Sequence, residues 1–90
     1  MKGVLYMETK KEINTIIGNS SRSTRLNSGF KAKALAAAIG ATPDAITKYE
    51  KGTVGISAAR LALAAEFLRV PVSALLPSEK QIRDIKKAEE

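Results

Sequence analysis

Residues 35–52 read LAAAIGATPDAITKYEKG, and their apolar positions set the frame for the rest of the chain. Leu35, Ile39, Ile46 and Tyr49 fall at helical spacing on either side of Gly40, which predicts two short helices sharing one buried seam across a tight turn. Gly40 can take the positive φ that ends a helix, and Thr42 followed by Pro43 supplies an N-cap and the residue best tolerated at the first helical position. The second helix is therefore predicted over residues 43–51, with Gly52 closing it in the left-handed conformation. Pro43, Asp44, Thr47 and Lys48 share its outer face, while Ala45, Ile46 and Tyr49 lie toward the packed side. This is a helix-turn-helix pattern.

The flanking segments are uneven. Residues 1–7 carry no period and read as a frayed start. Residues 8–17 place Ile13, Ile16 and Ile17 on one face, compatible with a short helix or with a segment lying across a partner subunit, but as a chain terminus they are expected to be disordered or loosely docked. Residues 18–28, GNSSRSTRLNS, predict a short helix at most, because serine, threonine and asparagine compete for backbone hydrogen bonds. A second helix opens at Lys31 with KAKALAAAI, whose alanines favour helix and let neighbours approach closely. Ser57 reads as the N-cap of a helix over 58–69 with Leu61, Ala65 and Leu68 facing inward. Pro71 then interrupts the chain, and 72–76 predicts a short fifth helix ended by Pro77. The tail after it is charged nearly throughout. Ile82 and Ile85 support one amphipathic turn there, with the remainder solvated. The expected organisation is an N-terminal extension (1–16, partly helical), a helical domain (17–77) and a charged tail (78–90).

Composition narrows the chemistry. Ninety residues make one domain, and a hydrophobic share of 44% with only 4% aromatics and no tryptophan implies an aliphatic core. No cysteine or histidine is present, which removes thiolate ligands, the commonest metal ligand and the commonest general base. Asp44, Glu50 and Glu66 are the carboxylates in the heart of the domain; they form no ligand cluster, and no glycine-rich phosphate loop follows a strand. No catalytic residue, metal, cofactor or small-molecule ligand is expected. The formal charge is +6, and all of the excess lies in residues 1–77, with eleven Lys/Arg against five Asp/Glu. Such placement is the footprint of a polyanion binder. No apolar run spans a bilayer, so a cytoplasmic, nucleoid-associated protein is expected.

The segment ITKYEKG, followed by ISAARLALAAEFLRVPVSALL, resembles the lambda-repressor/Cro-like helix-turn-helix domains of the XRE family, found in bacterial and phage regulators, over about residues 17–76. The resemblance implies an all-α, five-helix DNA-binding domain whose third helix enters the major groove of double-stranded DNA. It also implies a homodimer with contacts near the domain's end, where Phe67, Val70, Leu75 and Leu76 stand; Phe67 reads equally well as core. Arg25 matches an arginine that pairs in the family with the glutamate closing the recognition helix, here Glu50. One departure is Ala32, which occupies the place of a phosphate-binding glutamine, so the glutamine's role does not carry over, while Lys31 or Lys33 beside it could supply a phosphate contact as a flexible point charge. On this reading Pro43, Asp44, Thr47 and Lys48 face base edges, and Arg22, Lys31, Lys33, Lys51 and Arg60 contact phosphates. The glycines of the loop at 51–56 would let backbone N–H groups approach a phosphate. The competing expectation is a protein-interaction module, antitoxin-like, with weak DNA binding; Ala32 and the polar first helix favour it.

Overall fold

The structure is a computed structural model describing the backbone of residues 2–88 and the side chains of residues 5–88. Five α-helices and one 3₁₀ turn follow in the order α1 (Lys2–Asn27), α2 (Ala32–Ile39), α3 (Pro43–Lys51), α4 (Ala58–Leu68), the 3₁₀ turn Val72–Ala74, and α5 (Glu79–Ala88). The described residues contain no strand. The core is built from Leu35, Ala36 and Ile39 of α2, Ile46 of α3, Leu61, Ala64 and Ala65 of α4, and Leu75 after the 3₁₀ turn. Leu35, Ile46 and Leu75 are the largest of its fully buried side chains, each worth about 1.5–3 kcal/mol of transfer free energy. α1 packs on α3, α4 and α5, while α2 packs on α3 and α4.

The helix ends follow local chemistry. Thr42 Oγ1 accepts from Ala45 N at 3.1 Å, and Pro43 follows at the first helical position. Ser57 Oγ accepts from Arg60 N at 3.2 Å to start α4. Gly40 (φ 68°) and Gly52 (φ 77°) close α2 and α3 in the left-handed region. α4 closes on Arg69 at φ 60°, the one non-glycine residue with positive φ among those described.

Three expectations require correction. The polar stretch at 18–28 is not a short helix but the second half of a continuous 26-residue α1 that also takes in residues 8–17 and most of the expected frayed start. Met1, and Glu89 and Glu90 of the tail, lie outside the described residues. The predicted fifth helix at 72–76 is a single 3₁₀ turn over Val72–Ala74, too short between Pro71 and Pro77 for an α-helical ladder. The tail supplies a true helix instead. Ser78 and Gln81 form a reciprocal capping box, Gln81 N donating to Ser78 Oγ at 3.1 Å and Ser78 N to Gln81 Oε1 at 2.8 Å. Ile85 is buried where α5 meets the body, which is more than one solvated turn would achieve.

Candidate nucleic-acid interface

α3 is held at both ends and along one side. Ile46 and Glu50 point into the protein, and Tyr49 packs against the core. Pro43, Asp44, Thr47 and Lys48 are all exposed, together with Lys51 at the last turn. Thr47 Oγ1 donates to the Pro43 carbonyl at 3.3 Å, which leaves its methyl group and oxygen lone pairs outward. Lys48 Nζ lies 3.3 Å from Asp44 Oδ2, a one-turn ion pair between two solvated side chains. Such pairs are worth little in water, so both ends can exchange it for another partner at small cost.

The rear of α3 is locked to α1. Arg25 Nε donates to Glu50 Oε2 at 2.7 Å, Arg25 Nη2 to Glu50 Oε1 at 3.1 Å, and Arg25 Nη1 to the Phe30 carbonyl at 2.9 Å. Both partners are less than a tenth exposed. The hydrogen bond to Glu50 raises the Arg25 pKa above the ordinary arginine value; burial opposes it and attraction to the carboxylate adds to it. The guanidinium therefore stays charged wherever the protein is folded. Close approach of the two helices depends on Gly18. A Cβ there would collide with the Tyr49 carbonyl oxygen and lie 2.7 Å from that of Glu50. Periodicity does not single out Gly18, which the sequence places at the boundary between the 8–17 and 18–28 segments and the structure places inside α1.

The candidate phosphate contacts divide. Lys31, Lys33, Lys51 and Arg22 are exposed. Lys31 occupies the N-cap of α2 but makes no side-chain cap, so the first-turn amides of α2 gain no side-chain acceptor there and suit an anion. Arg60 is differently employed. Its Nε donates to the Ile39 carbonyl at 3.2 Å and its Nη2 to the Gly40 carbonyl at 3.0 Å, so it caps the C-terminus of α2 and braces the turn. Two of its donors are thereby removed from the set expected to face phosphate.

The candidate dimer residues divide too. Leu75 is fully buried in the core and cannot meet a partner, which corrects its assignment. Leu76 is exposed, Val70 and Phe67 are half-buried against the core, and Phe67 packs on Phe30 with ring centroids 4.5 Å apart. Among the described residues no group of three or more Asp or Glu side chains is placed to hold a metal, and no single helix is long and apolar enough to cross a membrane.

A short helix with an exposed polar face, crossed behind by α2 over a glycine turn and pinned to a long first helix, defines a helix-turn-helix protein. The helix-turn-helix family profile matches residues 22–75, and the chain belongs to that family. It is 39% identical over 70 residues to an HTH-type transcriptional regulator of Sinorhizobium medicae (strain WSM419), a match covering 74% of this chain and 50% of the relative. A regulator of Rhizobium meliloti (strain 1021) matches to the same extent. The chain thus spans about half the length of these relatives. Among solved structures, the DNA-binding domain of BldD superposes with a TM-score of 0.65 at 28% identity, over 74% of this chain and 97% of that domain.

Proposed function

We propose that the chain is a sequence-specific, DNA-binding transcriptional regulator, without enzymatic activity, that acts as a homodimer at the nucleoid in the cytoplasm. The observation that carries this reading is α3 itself. Three exposed side chains of different hydrogen-bonding character, Asp44, Thr47 and Lys48, stand with the apolar Pro43 on a helix whose opposite face is fixed by Ile46 and the Arg25–Glu50 pair. The regulator relatives and the BldD domain support the same reading. With α3 in the major groove, Lys48 can donate to guanine O6 and N7, Asp44 can accept from a cytosine amino group, and the Thr47 methyl can meet thymine. Pro43 offers apolar contact alone. Lys31, Lys33, Lys51 and Arg22 set the register by phosphate contacts. One helix covers few base pairs, so two copies would read half-sites about 34 Å apart, with Leu76, Val70 and Phe67 as the contact residues.

Random-sequence selection tests the proposal. The expected result is a two-fold symmetric consensus bound about a thousandfold or more above a scrambled duplex. Recovery of no consensus, with equal weak binding to every duplex, would overturn the proposal and favour a protein partner.

A further inference from the structure

The α1 helix is longer than the family frame requires. The matched region begins at residue 22, whereas α1 begins at Lys2. At about 1.5 Å per residue α1 is about 39 Å long, against a longest molecular dimension of 40 Å. Its N-terminal half therefore reaches along the molecule's long axis. It is attached at a defined place, the turn that follows α3. A Cβ on Gly52 would lie 2.6 Å from Thr15 Oγ1, and one on Gly55 would lie 3.1 Å from the Asn14 amide, so the two glycines let the helix sit this close.

Beside this joint lies a cleft of about 440 Å³, lined on the α1 side by Tyr6, Lys10, Lys11 and Asn14 and on the other by Gly52 and Thr53. No carboxylate lines it. Lys10 and Lys11 are exposed and have no ion-pair partner among the described residues. Thr53 spends its hydroxyl on the Lys48 carbonyl, so the donors left to the cleft are two ammonium groups, the Asn14 amide and the Tyr6 phenol. These are the groups that bind phosphodiester oxygens. The position also suits one. The cleft opens at the C-terminal end of α3, a nine-residue helix about 13 Å long, and the major groove is about 12 Å wide. With the first turn of α3 among the bases, its last turn stands at the groove's edge, where the backbone runs.

We propose that this cleft is a phosphodiester site through which the N-terminal half of α1 clamps the DNA backbone beside the groove occupied by α3. The inference rests on the DNA-binding reading above and extends the contact surface beyond the residues the family match covers. Lys10 and Lys11 contribute affinity and salt dependence but no base discrimination.

The test is fluorescence anisotropy with the whole chain and a random-sequence duplex of about 20 base pairs, two helical turns, titrated at several salt concentrations. Lys10→Gln/Lys11→Gln removes both charges and keeps helix-forming side chains. It should make the plot of log affinity against log salt shallower by about 0.9 for each phosphate that is no longer neutralised. Lys10→Arg/Lys11→Arg should keep the wild-type slope, as should Lys86→Gln/Lys87→Gln, which removes the same charge from α5. Matched thermal melting of all variants excludes unfolding as the cause. A wild-type slope in Lys10→Gln/Lys11→Gln, or an equal change in the α5 variant, overturns the proposal while leaving the DNA-binding reading in place. Failure of the wild-type chain to bind any duplex overturns both.

Discussion

Glu50 and Arg25 form the buried pair that ties α3 to α1. Their three hydrogen bonds, two to each other and one from Arg25 to the Phe30 carbonyl, satisfy most of a buried guanidinium. Removing the carboxylate alone strands that charge, at a cost of about 3–5 kcal/mol, whereas replacing both partners by apolar residues avoids it. Glu50→Ala is therefore expected to lower the thermal midpoint by about 12 °C or more. The double variant Arg25→Met/Glu50→Leu should recover most of that loss, and calorimetry of the two compares them directly. The raised arginine pKa brings no pH dependence near neutrality, since its contribution is complete below the ordinary arginine value and is lost only as pH rises through the folded one. Arg69 makes the opposite case. It closes α4 at φ 60°, where a side chain costs about 1–2 kcal/mol that glycine does not incur. Arg69→Gly should therefore stabilise the fold by about 1 kcal/mol, read as a higher midpoint in urea at unchanged slope.

Among the elements, the crossing of α1 and α3 is governed by absence of a side chain. Alanine is the better helix former by about 1 kcal/mol, so propensity alone favours Gly18→Ala. The carbonyl oxygens of Tyr49 and Glu50 oppose it, because backbone at a helix end cannot give way as a flexible side chain would. Forcing the methyl in should cost about 1–3 kcal/mol net and loosen the Arg25–Glu50 geometry, which equilibrium denaturation will report as a loss of stability. The same helix explains what the sequence concealed. Thr24 Oγ1 donates to the Ser20 carbonyl at 2.8 Å and Thr15 Oγ1 to that of Lys11 at 3.0 Å, so hydroxyls that argue for turns are satisfied inside the helix. Ser21 is buried, its small size serving packing that periodicity counts as polar. By contrast α2, α3 and α4 were legible to within a residue, because Thr42, Pro43, Ser57 and the glycines at 40 and 52 mark their ends chemically. For α5 the mark was also present. Ser78 and Gln81 stand at capping-box spacing ahead of Ile82 and Ile85, and only the dense charge around them obscured it.

At the scale of the whole molecule, the proposed sequence specificity has to be reconciled with a net charge of +6. Counterion release makes every exposed lysine an asset to non-specific affinity, and specificity then depends on something that penalises the wrong site. On the proposed reading Asp44 does this. It is the one acidic side chain in the first turn of α3, largely exposed, and lies 3.3 Å from Lys48 Nζ. On the proposed reading, Asp44 would repel the backbone of an unsuitable sequence and keep Lys48 paired, whereas at the selected site it would meet a cytosine amino group and free Lys48 for a guanine. Asp44→Asn keeps the shape and the N-terminal position but loses the charge. It should bind scrambled DNA more tightly than wild type while its advantage on the selected site shrinks by about tenfold, the equivalent of one base contact at about 1–3 kcal/mol. Lys48→Ala should instead weaken the selected site far more than the scrambled one. Parallel titrations of both variants on both duplexes separate these effects. If Asp44→Asn weakens both equally, the carboxylate serves the helix N-terminus alone and base reading lies with Thr47 and Lys48.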